Sequence, residues 1–147
     1  MDKGRFVTVL IAGLLLIAST PLSSAYKGHQ LSRAEVLDFT LTDQNNENFT
    51  FSQSLSEVHV VAFIFTRCVD VCPVITQSLK LVQEGLSESD AEEVQFISIS
   101  VDPGHDTPER LSEFTALHGA EWPHLTGDSD PLADVYNSFG IIVQEEV

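Results

Sequence analysis

Cysteine, methionine, tryptophan and positive charge are all scarce in this 147-residue chain. It has two cysteines, one methionine, one tryptophan, and seven Lys plus Arg against 22 Asp plus Glu. The resulting formal charge of −15 excludes nucleic acid as a partner, because such a surface repels polyphosphate and anionic lipid alike. No internal repeat and no low-complexity tract is present. The longest strongly apolar run, Phe6 to Ala18, falls short of the roughly 20 residues needed to span a bilayer. With two cysteines, Cys68 and Cys72, each is the other's only possible partner within the chain. The length allows one domain with a real core and is too short for two ordinary ones.

The N-terminus carries a processing pattern. Lys3 and Arg5 precede the apolar run, and the small residues Ser23, Ser24 and Ala25 follow it, as in a secretory signal cleaved after Ala25. We expect residues 1–25 to be a signal peptide, with an uncleaved anchor as the alternative. Residues 26–36 then form a polar lead and 37–147 the folded domain. Export would place the domain in the periplasm or on the outer face of the cytoplasmic membrane, touching the membrane only through an uncleaved N-terminal segment. In such a compartment two thiols within reach tend to be oxidised unless a reductant or a metal holds them.

Leu37, Phe39 and Leu41 alternate with polar residues before Gln44 to Phe51, which predicts a β-hairpin. Val58 to Phe65 is a nearly continuous apolar run, read as a central strand buried on both faces. A helix is predicted from Pro73, with Ile75, Leu79, Val82 and Leu86 on its apolar face and Glu84, Glu88 and Asp90 at its end. Val94 to Val101 reads as a second buried strand. Thr107-Pro108-Glu109 and Asp130-Pro131 read as helix starts, the second helix burying Leu132, Val135, Tyr136 and Phe139 before Gly140. Trp122 to Thr126 is expected to be extended, and Ile141 to Val143 to begin a strand. Alternating strands and helices of this length predict an α/β fold with a mostly parallel sheet covered on both faces.

The segment Phe65-Thr66-Arg67-Cys68-Val69-Asp70-Val71-Cys72-Pro73 lies where the first long strand hands over to the first long helix. Ligands of open α/β sheets bind at such carboxyl ends. If the segment coils, cysteines four apart share one face, with Cβ atoms about 5 to 6 Å apart. Two soft thiolates so placed can chelate a soft ion such as Cu(I) or close into a disulfide. A helix N-terminus favours the thiolate that both chemistries need. The spacing is one residue longer than the C-x-x-C of dithiol reductases. A merely structural disulfide across so short a loop would contribute about 2 kcal/mol at most.

The segment FTRCVDVCP resembles the defining loop of Sco/SenC proteins. It is followed at suitable distances by Ser100-Val101-Asp102-Pro103 with Asp106-Thr107-Pro108, and by Leu125-Thr126-Gly127, which also recur in that family. The resemblance runs from about Phe39 to the end of the chain. It implies a thioredoxin-like fold, with an N-terminal β-hairpin before a mostly parallel central sheet flanked by helices. It also implies a copper metallochaperone that delivers Cu(I) to, or matures, the binuclear copper centre of cytochrome c oxidase. Cys68 and Cys72 match the family's copper-ligating, redox-active cysteines, and Asp70 matches its acidic residue between them. The partners implied are the copper-bearing oxidase subunit and other copper carriers or thiol reductants.

Three departures accompany the resemblance. Val69 stands where the family usually has proline, and Arg67 where histidine is common. The family's third copper ligand, a histidine well downstream, has no counterpart, and the terminal hairpin and closing helix of a thioredoxin-like sheet are expected to be missing. Of the five histidines, His29, His59, His105, His118 and His124, only His105 is expected at the cysteine end of the sheet, as an ordinary loop residue. Two further readings stay open: a thiol-disulfide oxidoreductase acting on a partner's cysteines, and an inactive truncated remnant.

Overall fold

The structure, a computed structural model, describes residues 36–143. The expected signal segment, most of the polar lead and His29 lie outside the described residues. Strand β1 (Thr40–Asp43) turns back into β2 (Asn48–Thr50). The four-residue turn is held by the Asp43 carboxylate, which accepts the backbone N–H groups of Asn45 and Glu47, with Asn46 at a positive φ of 62°. This is the hairpin expected from the sequence, and Phe39 and Leu41 are buried while Leu37 is not.

Beyond a short 3-10 turn come β3 (Val58–Ile64), α1 (Val71–Gly85), α2 (Glu88–Glu93), β4 (Val94–Ser100), α3 (Pro108–His118), β5 (His124–Thr126) and α4 (Ser129–Ser138). The sheet order is β2-β1-β5-β4-β3. Strands β3, β4 and β5 run parallel, and the hairpin joins antiparallel through β1 and β5. Ile97 and Ile99 of β4 pack with Leu125 and with Leu132, Val135 and Tyr136 of α4. The alternate residue Phe96 packs with Ala120 and Trp122, and on the same face Ala62 and Ile64 of β3 meet Leu111 and Phe114 of α3. Both faces of the sheet are therefore covered, with the side chains alternating as the pleat requires.

Several expectations are corrected. β3 is not the central strand: among the described residues it pairs with β4 alone, and Val58 is half exposed. The middle of the five-strand order is β5, and β4, paired on both sides and buried from Phe96 to Ser100, lies between it and β3. An apolar run records a tendency to be buried, whereas strand order depends on pairing between distant segments. Helix α1 begins at Val71, two residues before the expected start, and ends at Gly85; Glu88 and Asp90 belong to the separate α2. Its inward face is Cys72, Thr76 and Leu79, while Ile75 is 36% and Val82 53% exposed. With Val71, Val74, Ile75, Leu79, Leu81 and Val82 spread around it, the helix cannot be phased from hydropathy. Helix α4 starts at Ser129 after Asp128, so Pro131 lies within its first turn. Gly140, at a φ of 68°, ends that helix as the left-handed residue a C-terminal cap needs. Ile141 to Val143 form no strand.

The start of α3 is as the sequence predicted. Thr107 caps it by accepting the Arg110 N–H, and Pro108 occupies the first turn, where its missing N–H leaves no gap.

Candidate functional site

The backbone leaves β3 after Ile64 and makes a tight turn, in which the Cys68 N–H donates to the Phe65 carbonyl. Helix α1 then starts, and Cys72 sits in its first turn. Its N–H donates to the Cys68 sulfur at 3.2 Å, so the spacing of four does bring both thiols to one side of a coiled segment. Both thiols are free.

The two sulfurs differ. Burial opposes ionisation of Cys68, but hydrogen bonds from the Cys72 thiol and from the N–H groups of Cys72, Asp70 and Val71 outweigh it and lower its pKa. Burial pushes Cys72 up to about 11, reinforced by the hydrogen bond it gives Cys68 and by the charges of Cys68 and Asp106, against a smaller lowering effect of the Phe65 backbone. At neutral pH Cys68 is the better thiolate and Cys72 stays a thiol. Access follows the same order: Cys68 lines an open cleft of about 550 Å³, whereas Cys72 is 2% exposed. Iodoacetamide should therefore modify Cys68 at least about tenfold faster than Cys72, as peptide mass mapping after short exposure would show. Equal rates would refute the asymmetry.

Beneath the turn lies Asp106, fully buried. Its carboxylate accepts the Thr66 N–H at 3.1 Å, the Thr66 hydroxyl at 2.5 Å and the Ser100 hydroxyl at 2.6 Å. The Tyr136 hydroxyl donates to the Ser100 carbonyl at 2.6 Å, and burial together with Asp106 and Asp102 holds that phenol up at about 12. The loop after β4 is thus tied to the cysteine turn. A second tie lies outside, where the Arg67 guanidinium donates twice to Asp102. Arg67, unusual for the resembled family, therefore anchors the turn to the same loop.

The cleft brings together Cys68, His105 and His118 with Arg67 and Arg110. His105 lies on the cysteine end as expected, and His118, at the end of α3, lines the same cleft. His124 is in β5, within the stretch expected to be extended, and is fully buried. His59 lies in β3 and bonds Ser54. Among the described residues no group of three or more His, Cys, Asp or Glu side chains is placed to hold a metal ion, so the cysteine pair has no third ligand there. Sequence reasoning missed the structural role of Asp106. A clue was available: Ser98 and Ser100 interrupt an apolar strand and, once buried, each needs a partner. Ser98 accepts the Trp122 indole N–H, and Ser100 donates to Asp106.

Residues 27–147 match the SCO1/SenC family. The SCO1 protein homolog of Bacillus subtilis is 34% identical over 149 aligned residues, covering 96% of this chain and 75% of that protein. Bradyrhizobium japonicum ScoI, solved with copper bound, is 33% identical with a TM-score of 0.65, over 73% of this chain and 68% of that one. BsSco, for which a disulfide switch is identified within the Sco family of cytochrome c oxidase assembly proteins, is 31% identical with a TM-score of 0.67, over 82% and 72%. The chain spans about half the length of several other curated relatives that it matches. The family match, the paired cysteines at the mouth of β3 and the shared sheet lead to one conclusion: this chain belongs to the SCO1/SenC family and has its thioredoxin-like fold.

Proposed function

We propose that this chain carries Cu(I) on Cys68 and Cys72, delivering it to, or helping to mature, the binuclear copper centre of a cytochrome c oxidase. The observation that carries the reading is the placement of both cysteines in one turn, the Cys72 N–H reaching the Cys68 sulfur at 3.2 Å. Two thiolates are a donor set suited to a soft monovalent ion. Copper bound to the similar ScoI and the oxidase-assembly role of the Sco family to which BsSco belongs support the same reading. Copper is cargo in this reading, held by the two thiolates and passed on. The N-terminal sequence supports placing this activity outside the cytoplasm, in the periplasm or at the outer face of the membrane.

Titrating the reduced protein with Cu(I) tests the proposal. One equivalent should bind, Cys68→Ser or Cys72→Ser should abolish uptake, and His105→Ala should leave it unchanged. Loss of copper in His105→Ala equal to that in Cys68→Ser would make His105 a ligand. No uptake by the wild-type chain would sink the carrier reading.

A second reading, a thiol-disulfide oxidoreductase acting on a partner's cysteines, is favoured by the unequal thiols: Cys68, 9% exposed at the cleft wall with a lowered pKa, beside the more deeply buried Cys72 with a raised one. An attacking and a resolving sulfur need that division of labour. The two readings share the same pair and are separated by the copper stoichiometry.

A further inference from the structure

The cleft onto which Cys68 opens differs in charge from the rest of the surface. Three Lys or Arg occur among the described residues, Arg67, Lys80 and Arg110. Two of them line this cleft, and Glu113 is its one carboxylate, in a chain with 22 Asp plus Glu. Arg67 is already engaged by Asp102. Arg110 is exposed and forms no ion pair among the described residues. Phe114 and Leu117, one and two turns further along α3, add an apolar wall, and Leu117 is 79% exposed. A cleft of about 550 Å³ falls in the range of small-molecule sites. Cys68 is on its lining and Cys72 is not, so a reagent in the cleft meets Cys68 first.

We propose that this cleft takes a small disulfide bearing carboxylates, with Arg110 holding a carboxylate and the Phe114–Leu117 wall holding the apolar part beside Cys68. The inference rests on the redox reading of the cysteine pair given above. The Cys68 thiolate attacks one sulfur of the bound disulfide, whose S–S bond breaks; a mixed disulfide forms and one thiolate leaves with the electron pair. Cys72 gives its proton to the departing thiolate and attacks the Cys68 sulfur, closing the Cys68–Cys72 bond and releasing the second thiolate, which takes its proton from water. Two electrons pass from the protein dithiol to the external disulfide, which becomes two thiols. A chain of charge −15 slows the approach of any anion, so a local cation beside the thiol has a definite role in admitting one.

The test follows closure of the Cys68–Cys72 bond in the reduced full chain, by mass after acid quench. Two probes are used: anionic glutathione disulfide and neutral 2-hydroxyethyl disulfide. The readout is the ratio of their rate constants, which cancels general effects of a substitution on the thiols. Arg110→Gln should lower the anionic-to-neutral ratio about fivefold, the scale of one exposed ion pair. Arg110→Lys should largely restore it, and added salt should shrink it in the wild type but not in Arg110→Gln. An unchanged ratio in Arg110→Gln, with closure by the neutral probe intact, overturns the cleft assignment and leaves the redox reading standing. If neither probe closes the pair, the redox reading falls and this inference with it.

Discussion

Between pH 6.5 and 4 the domain is expected to lose about 3 kcal/mol of stability through one imidazole, that of His124. The ring is fully buried, stacked at 5.6 Å on Trp122 and 5.8 Å from Phe114. Nδ1 lies 2.9 Å from the Trp122 carbonyl, which fixes the neutral tautomer as Nδ1–H, and Nε2 has no hydrogen-bond partner. Burial lowers its pKa to about 4, helped slightly by His118 and opposed by the Trp122 carbonyl. The sign is that of a depressed base: the unfolded chain takes up the proton near pH 6.5, the folded one only near 4. The stability is whole above 6.5 and is lost as pH falls toward 4. His124→Leu should remove that slope at little cost at pH 7, because the Gln44 amide already donates to the Trp122 carbonyl at 3.3 Å. Denaturant midpoints for both proteins at pH 7, 5.5 and 4 would show it. Parallel wild-type and variant curves would mean that His124 is not the acid-sensitive group.

Removal of the Asp106 carboxylate should cost a comparable amount, and at neutral pH. Asp106→Ala leaves the half-buried Thr66 N–H and hydroxyl and the fully buried Ser100 hydroxyl without their acceptor. Each orphaned buried donor costs roughly 1–3 kcal/mol before relaxation or water entry, so a loss of about 3 kcal/mol is expected. Asp106→Asn, which keeps one acceptor oxygen, should cost about half of that. The cysteine turn would also lose its tie to the loop after β4. Urea unfolding gives the first number, and amide exchange at Thr66 and Cys68 tests the second. If Asp106→Ala is as stable as wild type, the carboxylate is not the clamp described here.

Much of the fold was legible because local chemistry wrote it. Asp43 and Asn46 are turn residues in the places a hairpin needs them, Thr107-Pro108 starts a helix wherever it is put, and the run from Val94 to Val101 could only be buried. The site was legible in outline for the same reason: two cysteines four residues apart after a strand, with Thr66 before them and Asp102 and Asp106 downstream. Illegible were the phase of α1, whose apolar residues surround it, and the position of β3, which its own hydropathy overstates. The cleft was equally hidden, since Arg110 and His118 lie 42 and 50 residues beyond Cys68 and reach it only because α3 packs across the cysteine face.

What the sequence determined by itself was therefore the local and the chemical: the sulfur pair, the acidity, the caps and turns, and the family to which the loop belongs. Tertiary structure decided which thiol faces solvent, which strand holds the centre of the sheet, and which polar groups are sealed in. Those properties depend on burial and on contacts between distant segments, as when Asp106 clamps Thr66 or the Gln44 side chain accepts the backbone N–H of His124. A residue's type sets what it can do, and its surroundings set what it does: the same thiol is lowered at Cys68 by hydrogen bonds from the Cys72 thiol and the backbone N–H groups, and raised at Cys72 by burial.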